Sequence, residues 1–187
     1  MTTAPGHVGD SGPHGASAIA ALLRDIPDFP QPGILFKDIS PFLADGAVFG
    51  AAVTALAAVV RDSGPVDLIA GIEARGFMLA GALAGHLGVG LVPVRKAGKL
   101  PPPTVRRGYA LEYGTAEIEV PVGVLDGRRV FLVDDVLATG GTLRASAELL
   151  GQAGASVTGL GVLIELEFLA GRSVVDSIAP LHALLRL

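Results

Sequence analysis

Along this chain, blocks with apolar residues every three or four positions alternate with short, unbroken apolar runs. The first pattern marks an amphipathic helix, and an unbroken run between turn residues marks a strand covered on both faces. Ile19, Leu22, Leu23 and Ile26 follow the helical spacing and predict an entry helix that stops at Pro27. Asp45 is placed to cap a second helix running to about Arg61, with Ser63-Gly64-Pro65 as its stop. Strands are expected at about 67–70, 91–94, 116–120, 130–133, 157–166 and 181–184, and further helices at about 76–87 and 141–153. This alternation predicts an α/β fold with a parallel sheet and crossover helices.

Three stretches need separate readings. Residues 95–116 hold Pro101-Pro102-Pro103, three glycines and many charges, and predict a long loop of the kind that serves as a lid. Gly76 to Val94 carries no formal charge over nineteen residues, long enough to span a bilayer. Five glycines, His86 and Pro93 interrupt it, so a buried helix, a turn and a strand are expected there and no membrane span. Residues 1–23 lack Lys and Arg and have no apolar centre, unlike a secretory signal. Residues 1–15 are expected to form a disordered tail on a cytoplasmic protein, with 16–187 as one domain.

With 50% hydrophobic and 17% charged residues, general disorder is excluded. A net charge of −4 argues against a nucleic-acid surface. The basic residues nevertheless gather at Arg95, Lys96, Lys99, Arg106 and Arg107, a cluster suited to a small polyanion. The absence of cysteine removes disulfide and thiolate chemistry. The histidines, His7, His14, His86 and His182, lack metal-ligand spacing, and no protein-coordinated structural metal is expected.

Residues 130–142 are the most informative. Val130 to Val133 lead into Asp134 and Asp135, then into Ala138, Thr139, Gly140, Gly141 and Thr142, where a helix begins. Ligands of open α/β sheets bind at the carboxyl ends of strands, and a helix start with small residues binds phosphate. A P-loop needs a Lys beside its Ser/Thr, whereas Gly141 precedes Thr142 here. A neutral cradle with two acids reads as a site for a 5-phosphate and vicinal ribose hydroxyls.

The segment 134–142, Asp-Asp-Val-Leu-Ala-Thr-Gly-Gly-Thr, resembles the phosphoribosyl pyrophosphate (PRPP) signature of the type I phosphoribosyltransferases, in its adenine phosphoribosyltransferase version. Three other blocks follow that family's order. Residues 28–39, Asp-Phe-Pro-Gln-Pro-Gly-Ile-Leu-Phe-Lys-Asp-Ile, resemble its base-binding segment, and Glu73-Ala74-Arg75-Gly76-Phe77 its pyrophosphate loop. Residues 94–101 and Leu111-Glu112-Tyr113-Gly114-Thr115 resemble the two ends of its flexible catalytic loop. The resemblance implies a mostly parallel five-stranded sheet flanked by helices, a small hood over about 16–42, a flexible loop over about 96–115, and a homodimer. It also implies purine salvage by the reaction of adenine with PRPP to give AMP and pyrophosphate, with Mg²⁺ held mainly by PRPP. Lys37 stands where many relatives carry Arg, and Glu73-Ala74 where some carry Asp-Ser.

That reaction builds positive charge on the ribose and negative charge on the leaving group, so carboxylates belong near the ring and cations near pyrophosphate. Asp134 and Asp135 suit the first role, and Arg75 and Lys99, followed by Arg95 and Lys96, the second. N9 of a purine becomes nucleophilic as its proton leaves, which calls for a base. Relatives acting on 6-oxopurines have an acid where Ala138 stands, so the base must come from elsewhere, and the resemblance points to Glu112. Phe36 is expected to stack on the purine, with backbone groups of Ile34, Leu35, Phe36 and Lys37 reading its edge. Two alternatives stay open: a transferase for another base such as xanthine, and a PRPP-sensing regulator without catalysis.

Overall fold

The computed structural model describes residues 15–111 and 114–187, without side-chain detail at 110, 111 and 114. The expected N-terminal tail, apart from Gly15, and Glu112 lie outside the described residues. In chain order the elements are α1 (Ala16–Ala21), β1 (Arg24–Pro27), β2 (Leu35–Asp38), α2 (Ser40–Ala44), α3 (Gly46–Asp62), β3 (Leu68–Ile72), α4 (Gly76–Leu87) and β4 (Gly90–Lys96). They continue with β5 (Thr104–Leu111), β6 (Gly114–Pro121), β7 (Arg129–Leu137), α5 (Gly141–Gln152), β8 (Ser156–Glu165), α6 (Gly171–Val175) and β9 (Leu181–Arg186).

The main sheet has the order β5-β6-β4-β3-β7-β8-β9. Its five strands β4, β3, β7, β8 and β9 pair in parallel, and β6 and β5 extend it antiparallel at one edge. Alternation along β7 explains its unbroken apolar run. Phe131 and Val133 join α3 and α4 in one core, while Val130 and Leu132 join α5 in another on the opposite face. Gly159 and Gly161 of β8 leave the space that the Phe131 ring fills, since a Cβ on either would lie 2.5 or 2.8 Å from a ring carbon. Burying a ring of this size contributes roughly 1.5–3 kcal/mol and holds the strand that carries the acidic pair.

The Asp45 carboxylate caps α3 as expected, accepting from the amides of Ala47 and Val48 at 3.0 Å. The entry helix is shorter than its spacing predicts. It ends at Ala21, and Arg24–Pro27 forms an antiparallel hairpin with Leu35–Asp38. Cross-strand ion pairs, Arg24 to Asp38 at 2.5 Å and Lys37 to Asp25 at 2.7 Å, favour this pairing over another helical turn.

Residues 104–121, largely expected as a loop, instead form the β5–β6 hairpin, with Thr104 paired to Pro121 and Leu111 to Gly114. Val105, Arg107 and Tyr109 share the less exposed face of β5, and Arg106 and Gly108 the exposed one. This period of two is obscured by the neighbouring prolines and charges. Glu119 closes the base of the hairpin. Its solvent-inaccessible carboxylate accepts from the Lys99 and Leu100 amides at 2.8 Å, the Thr104 hydroxyl at 3.1 Å and Arg106 Nε at 3.0 Å. Burial raises the Glu119 pKa, but the Leu100 and Lys99 amides, Thr104 and Arg106 outweigh it and hold the carboxyl below its ordinary value.

Candidate active site

β7 continues beyond Val133 through both aspartates to Leu137. Although successive strand residues begin on opposite sides, the two carboxyls remain close enough to interact with each other. Asp134 lines a pocket with Val136, Leu137 and residues 138–143. Asp135 is buried, and its Oδ2 lies 2.7 Å from Arg75 Nε as an ion pair that lacks hydrogen-bond alignment. Desolvation is the main cause raising both carboxyl pKa values; for Asp134 the neighbouring Asp135 charge adds to it, whereas for Asp135 Arg75 opposes it. Asp134 also accepts from the Asp135 amide at 2.8 Å.

The pocket floor is the turn into α5. Gly140 caps that helix with φ of 83°, a left-handed conformation that glycine adopts without strain. A Cβ there would lie 2.6 Å from the Gly171 carbonyl oxygen. The reverse contact is tighter, because a Cβ on Gly171 would lie 2.1 Å from the Ala138 carbonyl oxygen and 2.9 Å from the Gly140 nitrogen. The start of α6 therefore braces the turn from behind. Glu165 holds this brace, accepting from Arg172 Nε at 2.8 Å and Nη2 at 2.5 Å, with Arg186 Nε at 3.3 Å. Sequence reasoning passed over Gly171, Glu165 and Arg172, since no local spacing announces a contact across thirty residues. A Gly-Arg pair after an acid-ended strand was the only available signal.

Arg75 links the two halves of the site. It pairs with Asp135, donates to the Lys37 carbonyl at 3.1 Å, and places its guanidinium 4.6 Å from the Phe36 ring centroid. The Phe29 and Phe36 rings meet edge to face, at 5.0 Å between centroids. Phe36 thus has one face against a cation. The Lys37 ammonium is held by Asp25, Ile34 is half-buried, and Leu35 is exposed. Arg95 is engaged as well: Nε meets Glu73 Oε2 at 3.2 Å and Nη1 donates to the Lys99 carbonyl at 3.0 Å. Lys96 and Lys99 are exposed, and among the described residues neither ammonium has a carboxylate partner. Burial raises the Glu73 pKa, but the Lys96 amide and Arg95 outweigh it and hold the carboxyl below its ordinary value.

A parallel sheet whose central strand delivers an acidic pair to a glycine turn and a helix start defines the phosphoribosyltransferase class. The family description "Phosphoribosyl transferase domain" matches residues 43–177. The adenine phosphoribosyltransferase of Kineococcus radiotolerans is 59% identical over 158 residues, covering 84% of this chain and 85% of that protein. Among solved structures, the adenine phosphoribosyltransferase of Thermoanaerobacter pseudethanolicus superposes with a TM-score of 0.87 at 46% identity, over 92% of this chain and 99% of its own. That of Giardia lamblia, complexed with 9-deazaadenine, does so with a TM-score of 0.88 at 41% identity, over 92% and 98%. The chain belongs to the phosphoribosyltransferase family, among the adenine phosphoribosyltransferases.

Proposed function

We propose that this protein is a purine-salvage transferase that moves the 5-phosphoribosyl group of PRPP to N9 of adenine, giving AMP and pyrophosphate. The observation that carries this reading is the convergence of Asp134 with the Gly140–Gly141 turn and the start of α5 in one pocket. The amides of Gly140, Gly141 and Thr142, with the hydroxyls of Thr139 and Thr142, receive the 5-phosphate. Ala138 leaves room beside them. Asp134 faces the ribose, where its charge opposes that developing on C1′.

Asp135 works through Arg75 in this reading. The buried carboxylate holds the guanidinium between the acidic pair and the hood, over about 16–42, so Arg75 turns its remaining donors to pyrophosphate. Lys96 and Lys99 add exposed cations from the adjoining segment, and Arg95 braces it through Glu73 and the Lys99 carbonyl. Movement of the segment about 96–115, which includes β5, carries Glu112 to the base, where it accepts the proton leaving N9. Phe36 offers adenine its remaining face, and the backbone of Ile34 to Lys37 reads the purine edge.

Among the described residues no group of three or more His, Cys, Asp or Glu side chains could hold a metal ion. Asp135 is committed to Arg75, and the single pocket carboxylate, Asp134, suits an ion held mostly by substrate oxygens. Mg²⁺ bound with PRPP supplies charge neutralisation on pyrophosphate. The resemblance to the family supports a homodimer in the cytoplasm as part of this proposal. No described helix is long and apolar enough to cross a membrane. Measuring nucleotide formation from PRPP and Mg²⁺ with adenine, guanine, hypoxanthine and xanthine in turn tests the assignment. AMP formation alone is expected, and turnover of another base in preference to adenine would overturn it.

A further inference from the structure

The β5–β6 hairpin touches the phosphate turn through a pair of hydroxyls. The Tyr109 hydroxyl lies 3.3 Å from Thr142 Oγ1, and either oxygen can donate. Arg107, on the same face of β5, pairs with Glu148 of α5, which also accepts from Arg144 Nε at 2.9 Å. Val105 and Tyr109 pack against the core on the α5 side of the sheet. We propose that Tyr109 is a positioning residue whose hydroxyl couples occupancy of the 5-phosphate subsite to docking of the hairpin on α5. This rests on the reading of Thr142 as a 5-phosphate ligand.

The argument follows from proton counting. A threonine hydroxyl has one proton to donate and lone pairs to accept with. Without a ligand, the Tyr109–Thr142 contact has no preferred direction. Its 3.3 Å length also exceeds the usual 2.5–3.0 Å of an O–H···O bond. Phosphate oxygens only accept, so a bound phosphate commits the Thr142 proton to itself. Thr142 Oγ1 is then left as an acceptor for Tyr109. The resulting chain, Tyr O–H to Thr O–H to phosphate, is charge-assisted and polarised in one direction, and the outer bond strengthens. Linkage makes the effect reciprocal: phosphate tightens the hairpin's docking, and docking tightens phosphate by the same factor.

Two arms test this. In the unaltered protein, AMP should slow tryptic cleavage at Arg106 and Arg107 of β5, whereas adenosine, at a concentration that saturates its site by calorimetry, should not. Tyr109→Phe keeps the ring's packing and removes only the hydroxyl. It should lower AMP affinity about five- to tenfold, the range for one hydrogen bond, and abolish AMP protection of β5. It should also raise KM for PRPP while leaving KM for adenine unchanged, a split that a merely structural role would not produce. Equal protection by AMP and adenosine in the unaltered protein would overturn the coupling whether or not the variant folds. So would unchanged AMP affinity in folded Tyr109→Phe. Thr142→Val separates the two readings: normal AMP affinity there defeats the 5-phosphate assignment, whereas weakened affinity alongside an inert Tyr109→Phe defeats the coupling alone.

Discussion

Gly171→Ala adds one carbon behind the phosphate turn, at a position outside the pocket lining. The new Cβ would lie 2.1 Å from the Ala138 carbonyl oxygen and 2.9 Å from the Gly140 nitrogen. Carbon and oxygen approach comfortably to about 3.3 Å, so the turn or the start of α6 must shift by roughly 1 Å. Both contacting atoms are backbone and cannot rotate aside. The Glu165–Arg172 pair, with bonds of 2.8 and 2.5 Å, resists movement on the α6 side. Most of the shift therefore falls on Ala138 to Gly140, the residues assigned to the 5-phosphate. Misplacement by about 1 Å costs on the order of a hundredfold in rate, and overpacking costs roughly 1–3 kcal/mol of stability. The expected result is a kcat/KM for PRPP lowered about a hundredfold, weaker AMP binding by calorimetry, and a moderately lower melting temperature. Gly50→Ala provides the control, because a Cβ on that α3 residue meets nothing within 4 Å. It should gain roughly 0.5–1 kcal/mol from helix propensity. AMP affinity in Gly171→Ala equal to that of the unaltered protein would refute the claim that α6 shapes the phosphate turn.

Glu112→Ala should lower kcat by about ten- to a thousandfold while leaving PRPP affinity nearly intact, and rapid-quench kinetics showing an unchanged chemical step would remove Glu112 from the mechanism. Asp134→Asn should raise the ligand-free melting temperature at neutral pH and abolish PRPP binding. A carboxyl whose folded pKa is raised makes stability fall as pH climbs from its unfolded value through its folded one, so the gain should shrink as pH is lowered from the folded value toward about 4 and be nearly gone below that. A melting temperature insensitive to this change at pH 7 would contradict the desolvation described for Asp134. Glu119→Gln presents an NH₂ group to a cage of donors and should speed tryptic cleavage after Lys99 and Arg106 about tenfold, one lost hydrogen bond to a charged group being the measure. Unchanged cleavage would mean that the hairpin base is held by strand pairing alone.

What the chain discloses in advance depends on how far each determinant reaches along it. The run Val130 to Val133 is legible because burial on both faces leaves no polar position to interrupt it. Asp45 is legible because a cap acts on amides two and three residues away. The expected end of β7 at Val133 fell short for a related reason. Asp134 and Asp135 break the apolar run, yet the backbone stays paired with β8 to Leu137, and main-chain hydrogen bonds leave no mark in side-chain hydropathy. Short elements were lost to competing periods. Ile19 to Ile26 satisfies a helix in spacing, while the ion pairs that draw Arg24–Pro27 into a hairpin lie across a turn.

The site follows the same division. The acidic pair, the glycine turn and Thr142 are contiguous, and their chemistry is readable from composition. The differentiation of Asp134 from Asp135 is not, because it depends on Arg75 reaching one carboxylate and a pocket opening beside the other. Arg75 illustrates the consequence for mechanism. Its charge alone suggests a pyrophosphate ligand, but its position between Asp135 and Phe36 gives it a second duty that an exposed cation such as Lys99 does not share. Removing Arg75 leaves Asp135 buried without a counter-charge, which costs more than the loss of one ligand contact. Lysine restores the charge without the planar fork that meets carboxylate and ring together. Arg75 therefore joins the hood to the acidic pair by geometry as much as by charge, and geometry of that kind is fixed only when residues 36, 75 and 135 meet in the folded chain.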